Sequence, residues 1–451
     1  MKRTLPLLFG ALIFSVSAKE KKEDASPNLD EIVFDAKLWE RSLEDIKGQE
    51  KAEEKNSDIP KELLEKLKKE GIDLGSGGSG GLEWLSAKKE GLRASPGSFE
   101  FLGEESGEVV LRAEGGKVAN VTISLYNRGD DGNLPLATFA KRFDGWKERL
   151  DEKIGVEAVE RNSKGAVAVT GWMWTKGDTA TLLESSVNRS EKRPEFIRLR
   201  MASISAAKNR TGEVAKRSSL SDNVKKDKDG FTVIEGIPMV DQGDKGYCVV
   251  ASIERVGRYY GLEMDQHEMA QLADTTEDGT SGEVMEKAFQ KITGRIHVRT
   301  LKLIEYDDRQ FERDVRSYNQ AARKADKWTF DVDLDEWIVH PVSFWSKADT
   351  EVFREMKAKQ NRFDHFSRKI KEYVDQGIPL CWTLFLGMYK EGDAPQSWGG
   401  HMRLIIGYNF DGEVPMIYYT DSWGDGHGLK KMRADEAYCM TTALYAMVPN
   451  K

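Results

Sequence analysis

Cysteine is scarce, with three residues in 451, at positions 248, 381 and 439. So low a count excludes a disulfide-built scaffold, and being odd it leaves at least one thiol free. The six histidines, at 267, 297, 340, 365, 401 and 427, show no tight ligand spacing, so a bound metal is not expected. Positive charge is not in surplus. The net charge is -8, and an acidic chain without a concentrated basic face is a poor partner for nucleic acid. No run beyond residue 18 is long and apolar enough to span a bilayer.

What is present begins with MKRTLPLLFGALIFSVSA, where a basic pair, Lys2 and Arg3, precedes an apolar run that closes on Val16-Ser17-Ala18. That pattern predicts a secretory signal peptide over 1–18. The run is shorter than a retained anchor needs. Removing it takes the charge from -8 to -10 and predicts a secreted or periplasmic protein with no integral membrane segment.

Residues 19–81 read as a charged arm, with one short amphipathic helix after Pro60, followed by the flexible Gly/Ser linker GSGGSGG. Residues 82–205 read as a small α+β domain. GEVVLRAE and KVANVTISLYN alternate around Gly115-Gly116, and AVAVTGWMWT and TATLLESSV around Lys176-Gly177-Asp178. TFAKRFDGWKERLDEKI between them has helical spacing. This part carries no nucleophile, ligand cluster or phosphate loop, and Trp172, Met173 and Trp174 read as sheet core. Residues 206–230 are polar and basic and read as a second linker.

Residues 231–451 form the C-terminal domain. CVVASIERVGRYY, MDQHEMAQLAD, GEVMEKAFQKI and FDHFSRKIKEYVDQG have helical character, and IPLCWTLFL, HMRLIIGYN, PMIYYTDSW and TALYAMV read as strands. Helices first and antiparallel strands later make an α+β plan with a cleft between the layers. In DQGDKGYCVVAS, Cys248 opens a helix, where unpaired N–H groups and the helix dipole favour a thiolate. Gln242 lies six residues upstream in a glycine-containing turn, able to aim its amide at an oxyanion beside the Cys248 N–H. His401 opens an apolar strand, and Asp421 closes another, able to orient its ring. His427 lies in the loop WGDGHG.

These segments together resemble a papain-fold cysteine peptidase, in the papain-like and bacterial C39-like superfamily, over the C-terminal domain only. Gln242-Gly243-x-x-Gly246-x-Cys248 resembles the family's oxyanion and nucleophile motif, GGHMRLIIGY its histidine strand and YYTDSWGDGHG its NSWG segment. GTSG at 279–282 resembles the glycine-rich loop beside the substrate groove. The resemblance implies Cys248 as nucleophile, His401 as base and Asp421 as the orienting group. It implies Gln242 and the Cys248 N–H as oxyanion hole, Gly246 as a supporting motif glycine, and Trp423 as a shield over the histidine contact. The interval of 153 residues between Cys248 and His401 implies an insertion around 295–350. Asp421 stands for the usual Asn, as in bacteriocin-processing-type and related bacterial papain-like peptidases. Lys245 stands where a disulfide cysteine is common, and Val249 where Trp is usual. No cofactor and a polypeptide substrate follow from the resemblance.

The expected activity is an exported cysteine endopeptidase. The alternatives are a catalytically inactive papain-like binding module, or an amidase or acyltransferase acting on a non-peptide amide. The 82–205 part is left as prosegment, substrate-recruiting module or spacer. Cys381 and Cys439 are left as an optional pair or as two buried reduced thiols.

Overall fold

A computed structural model of the chain describes residues 28–53, 81–164, 167–209, 216–262, 264–275, 289–291, 293, 298–330, 341–391 and 399–450. The signal peptide, the helix after Pro60, nearly all of the Gly/Ser linker, the GTSG loop, His297 and His340 lie outside these residues. Of the third helix expected in the C-terminal part, Phe289–Lys291 is described and is helical.

The chain is α+β, and among the described residues it holds two large antiparallel sheets, each over its own apolar core, and a small two-stranded one. The nine-stranded first sheet is built around long strands. Val109–Glu114 turns into Lys117–Asn127 through Gly115 and Gly116, both at positive φ, as the alternation predicts. Ala168–Lys176 and Thr179–Asn188 form the second expected hairpin. Between this hairpin and Lys117–Asn127 lies Arg193–Ser203, which the sequence reading did not single out. The helix Leu136–Ile154 lays Phe139, Phe143, Trp146, Leu150 and Ile154 on the core side and stops at Gly155 in the left-handed region. Trp174 is wholly buried with its indole N–H donated to Asp151, whereas Trp172 is half-buried beneath the Lys147 ammonium.

Two expectations change here. The arm is not all arm: Leu29, Ile32, Val33, Leu38, Leu43 and Ile46 are buried against the first core, and Arg41 accepts a backbone bond from Val118. The charges around them hide six apolar positions whose burial holds residues 28–48 to the sheet. The expected 206–230 linker is also shorter, because Val224–Lys226 pairs with Thr232–Ile234 at the edge of the second sheet and Leu220 is buried.

The eight-stranded second sheet centres on Gly399–Asn409, Leu380–Leu386 and Thr441–Pro449. Met416–Thr420 pairs with Gly399–Asn409 on one side and Lys430–Arg433 on the other. Helices fall where the spacing put them, at Cys248–Tyr259, Gln266–Ala273 and Asn361–Val374. The region 295–350 carries the strand Val298–Glu305, which pairs with Thr441–Pro449, and the amphipathic helix Asp308–Lys324. Cys248–Tyr259 packs against Gly399–Asn409, which sets the start of a helix beside the start of a strand. No described helix is long and apolar enough to cross a membrane.

Candidate active site

Cys248 is the first residue of its helix and is half-buried. As a first-turn residue its N–H is not consumed by the helix's own ladder. Its helix is anchored from within by Arg255, buried and spreading three bonds: Nε to the Pro238 carbonyl at 2.9 Å, Nη1 to the Asp421 carbonyl at 2.6 Å, and Nη2 to Thr420 Oγ1 at 2.6 Å. One guanidinium therefore ties the nucleophile helix to the strand end that carries Asp421. Burial lowers the Arg255 pKa to about 10 against the pull of Asp421, so the side chain stays charged at neutral pH.

His401 and Arg403 sit two residues apart on Gly399–Asn409, hence on one face of the strand. Both reach Asp421, which is wholly buried just beyond Met416–Thr420. His401 Nε2 lies 2.7 Å from Oδ1, and Arg403 Nε donates to Oδ2 at 2.6 Å. Arg403 continues to Glu391, whose Oε2 accepts from Nη1 at 2.7 Å and from the Tyr419 hydroxyl at 2.5 Å. The Trp423 ring stacks on the imidazole at 4.5 Å with 19° between planes, and the Arg403 guanidinium lies 5.5 Å from its centroid. His401 is 7 % exposed.

Burial alone would drive the His401 pKa down. The charge and hydrogen bond of Asp421, with Cys248 in side-chain contact, more than reverse that and raise it to about 9. Burial would raise the Asp421 carboxyl, but His401 and Arg403 hold it well below the usual carboxylate range. With Nε2 committed to Asp421, Nδ1 is the nitrogen left for the Cys248 thiol.

Gln242 is buried and joined to the same segment. Its backbone N–H donates to the Ser422 carbonyl at 2.8 Å, and its Oε1 accepts from Ser422 Oγ at 2.7 Å. Its Nε2 donates to the Lys245 carbonyl at 3.1 Å, which uses one of two amide hydrogens and leaves the other. Gly246 is half-buried in the turn before Tyr247. Gly243, at φ +68°, takes a left-handed conformation that glycine adopts without strain.

The structure thus brings Cys248, His401, Asp421, Gln242 and Trp423 into one cluster. The His427 ring packs edge-on against Trp423, and the His427 carbonyl accepts from the Asp421 N–H. Sequence reasoning missed Arg255, Arg403 and Ser422. Arg403 has a signal, since an arginine two residues beyond a histidine on an apolar strand must find a buried acid. Cys381 and Cys439 are both free and buried, with burial pushing each thiol up to about 12. Among the described residues no group of three or more His, Cys, Asp or Glu side chains is placed to hold a metal ion.

Residues 236–312 match the Peptidase C39 family, cysteine peptidases of the papain-like superfamily. The match takes in Gln242 and Cys248 and ends before His401 and Asp421. No curated protein matches the chain.

Proposed function

We propose that this chain, with its Peptidase C39 region, is a cysteine peptidase that hydrolyses peptide bonds through Cys248, His401 and Asp421, with residues 231–451 as its papain-like domain. The observation that carries the reading is the buried Asp421–His401 contact at 2.7 Å through Nε2, which leaves Nδ1 to the thiol. His401 takes the proton from Cys248 Sγ, and the thiolate attacks the carbonyl carbon. The Cys248 N–H and the second Nε2 hydrogen of Gln242 stabilise the oxyanion. As the tetrahedral intermediate collapses, the imidazolium passes its proton to the leaving amine and a thioester remains. Water, deprotonated by His401, then releases the acid and restores the thiol. Asp421 fixes the ring and supports its charge throughout. Trp423 and the burial of His401 limit competition from water for the ion pair.

The leader-like residues 1–18 support a site of action outside the cytoplasm. The test is hydrolysis of a mixed fluorogenic peptide library by the full chain, beside Cys248→Ala. Cleavage by the first and none by the second supports the reading; cleavage by both refutes Cys248 as the nucleophile.

A further inference from the structure

We infer that the first sheet is a clamp on the loop from Gln242 to Cys248, with Asp130 as a positioning residue that acts through Lys245. The inference rests on the reading of Gln242 and the Cys248 N–H as oxyanion donors.

Lys245 lies midway between those two donors, and its side chain is only 2 % exposed. A buried ammonium is costly unless paired. Its partner comes from the other sheet: both carboxylate oxygens of Asp130 accept from Nζ, at 3.0 and 2.9 Å. Asp130 belongs to the helical turn Arg128–Asp131, which directly follows the long strand Lys117–Asn127, and it is itself held by Asn127 Nδ2 at 2.9 Å. Asn127 Oδ1 in turn receives the Tyr247 hydroxyl at 3.3 Å. Gly129 makes this docking feasible, because a Cβ there would stand 2.5 Å from Tyr247 Oη. Both side chains flanking Gly246 are therefore seated on one turn of the first sheet.

The backbone of Lys245 completes the connection. Its carbonyl accepts from Gln242 Nε2 at 3.1 Å and from the Tyr247 N–H at 2.7 Å. The residue whose side chain is gripped by Asp130 thus carries, on its backbone, the amide aimed at the oxyanion. Further contacts fix the same seam. Arg93 bridges Glu108 at 2.6 Å and Asp241, the neighbour of Gln242, at 3.4 Å. Arg198 reaches Asp265 at 3.0 Å and Glu268 at 2.5 Å on the helix that follows the nucleophile helix. The first sheet thus supplies both the acid that pairs Lys245 and the turn that seats Tyr247 beside the nucleophile.

The experiment compares full-length wild type with Asp130→Asn and with the milder Tyr247→Phe, which covers the case in which the first variant fails to fold. Three quantities are read: amide hydrogen exchange of 241–248, alkylation of Cys248 by iodoacetamide, and hydrolysis of the fluorogenic peptide library. Alkylation develops no oxyanion. The clamp predicts faster exchange in 241–248 and a fall in kcat of about tenfold or more for Asp130→Asn, with KM and the alkylation rate within about twofold. Smaller changes of the same direction are expected for Tyr247→Phe. Unchanged exchange in both variants overturns the clamp, and so does an alkylation rate that falls in parallel with kcat. Failure of the peptidase reading looks different: wild type then cleaves nothing and Cys248 alkylates like an ordinary thiol, while the exchange data still decide the clamp.

Discussion

Arg403 donates through Nε to Oδ2 of Asp421 at 2.6 Å, on the carboxylate oxygen opposite the one that faces His401. One carboxylate thus serves two cations, and both of its oxygens are fixed. An orienting group held this way cannot swing away from the imidazole without breaking a buried ion pair.

Arg403→Lys tests that hold. A lysine offers a point charge where a fork reaches Asp421 and Glu391 together, so one acid loses its partner. The expected cost is about 3 kcal/mol of unfolding free energy in urea. Arg433→Lys, on a pair whose arginine side chain is 36 % exposed, is expected to change stability by less than about 1 kcal/mol. Equal effects at the two positions would show that Arg403 is not anchoring the site.

Asp421→Asn removes the charge while keeping one acceptor. The amide oxygen can still accept from His401 at the expense of the Arg403 bond, and the imidazolium loses its main electrostatic support. The basic limb of kcat/KM, set by deprotonation of His401, is expected near pH 9 in wild type and closer to the ordinary histidine value of about 6.5 in the variant. A limb that stays near pH 9 would mean that Asp421 does not set the charge of the ring.

The same shift makes a stability prediction. His401 titrates near 6.5 unfolded and near 9 folded, so the folded state binds its proton more tightly. The stabilisation is fully present below pH 6.5 and is lost as pH rises through about 9. It amounts to on the order of 3 kcal/mol. Urea denaturation at pH 6 and pH 9.5 should show this loss in wild type and a much smaller one in His401→Gln. Parallel losses in both proteins would place the titration elsewhere.

Much of the site was legible because each of its residues stands at a position with a local signature. Cys248 opens a helix that Gly261 closely follows, His401 lies at the start of an apolar strand, and Asp421 directly follows one. The hairpins of the first sheet were equally readable, since alternation and the Gly115-Gly116 turn are local. Arg193–Ser203 was not, because its charged residues Arg198 and Arg200 interrupt the apolar pattern until the acids that pair with them are known. Residues 28–48 were hidden in the same way, six core positions inside a run of charge. The seam between the sheets was out of reach of sequence reasoning altogether. Lys245 and Asp130 are 115 residues apart, and nothing near either one announces the other.

The proposed chemistry needs an activated thiol at Cys248, which covalent labelling reads. Wild type, Cys248→Ala and His401→Ala are treated with a thiol-reactive epoxide from pH 5 to pH 8, and the intact mass is read with the modified peptide. One adduct is expected on wild type, at Cys248, still forming at pH 5. None is expected on Cys248→Ala and a strong loss at pH 5 in His401→Ala, while Cys381 and Cys439 stay unmodified in the folded protein. Labelling of Cys248 no faster than a free thiol, or adducts on Cys381 or Cys439 instead, would rule out an activated Cys248.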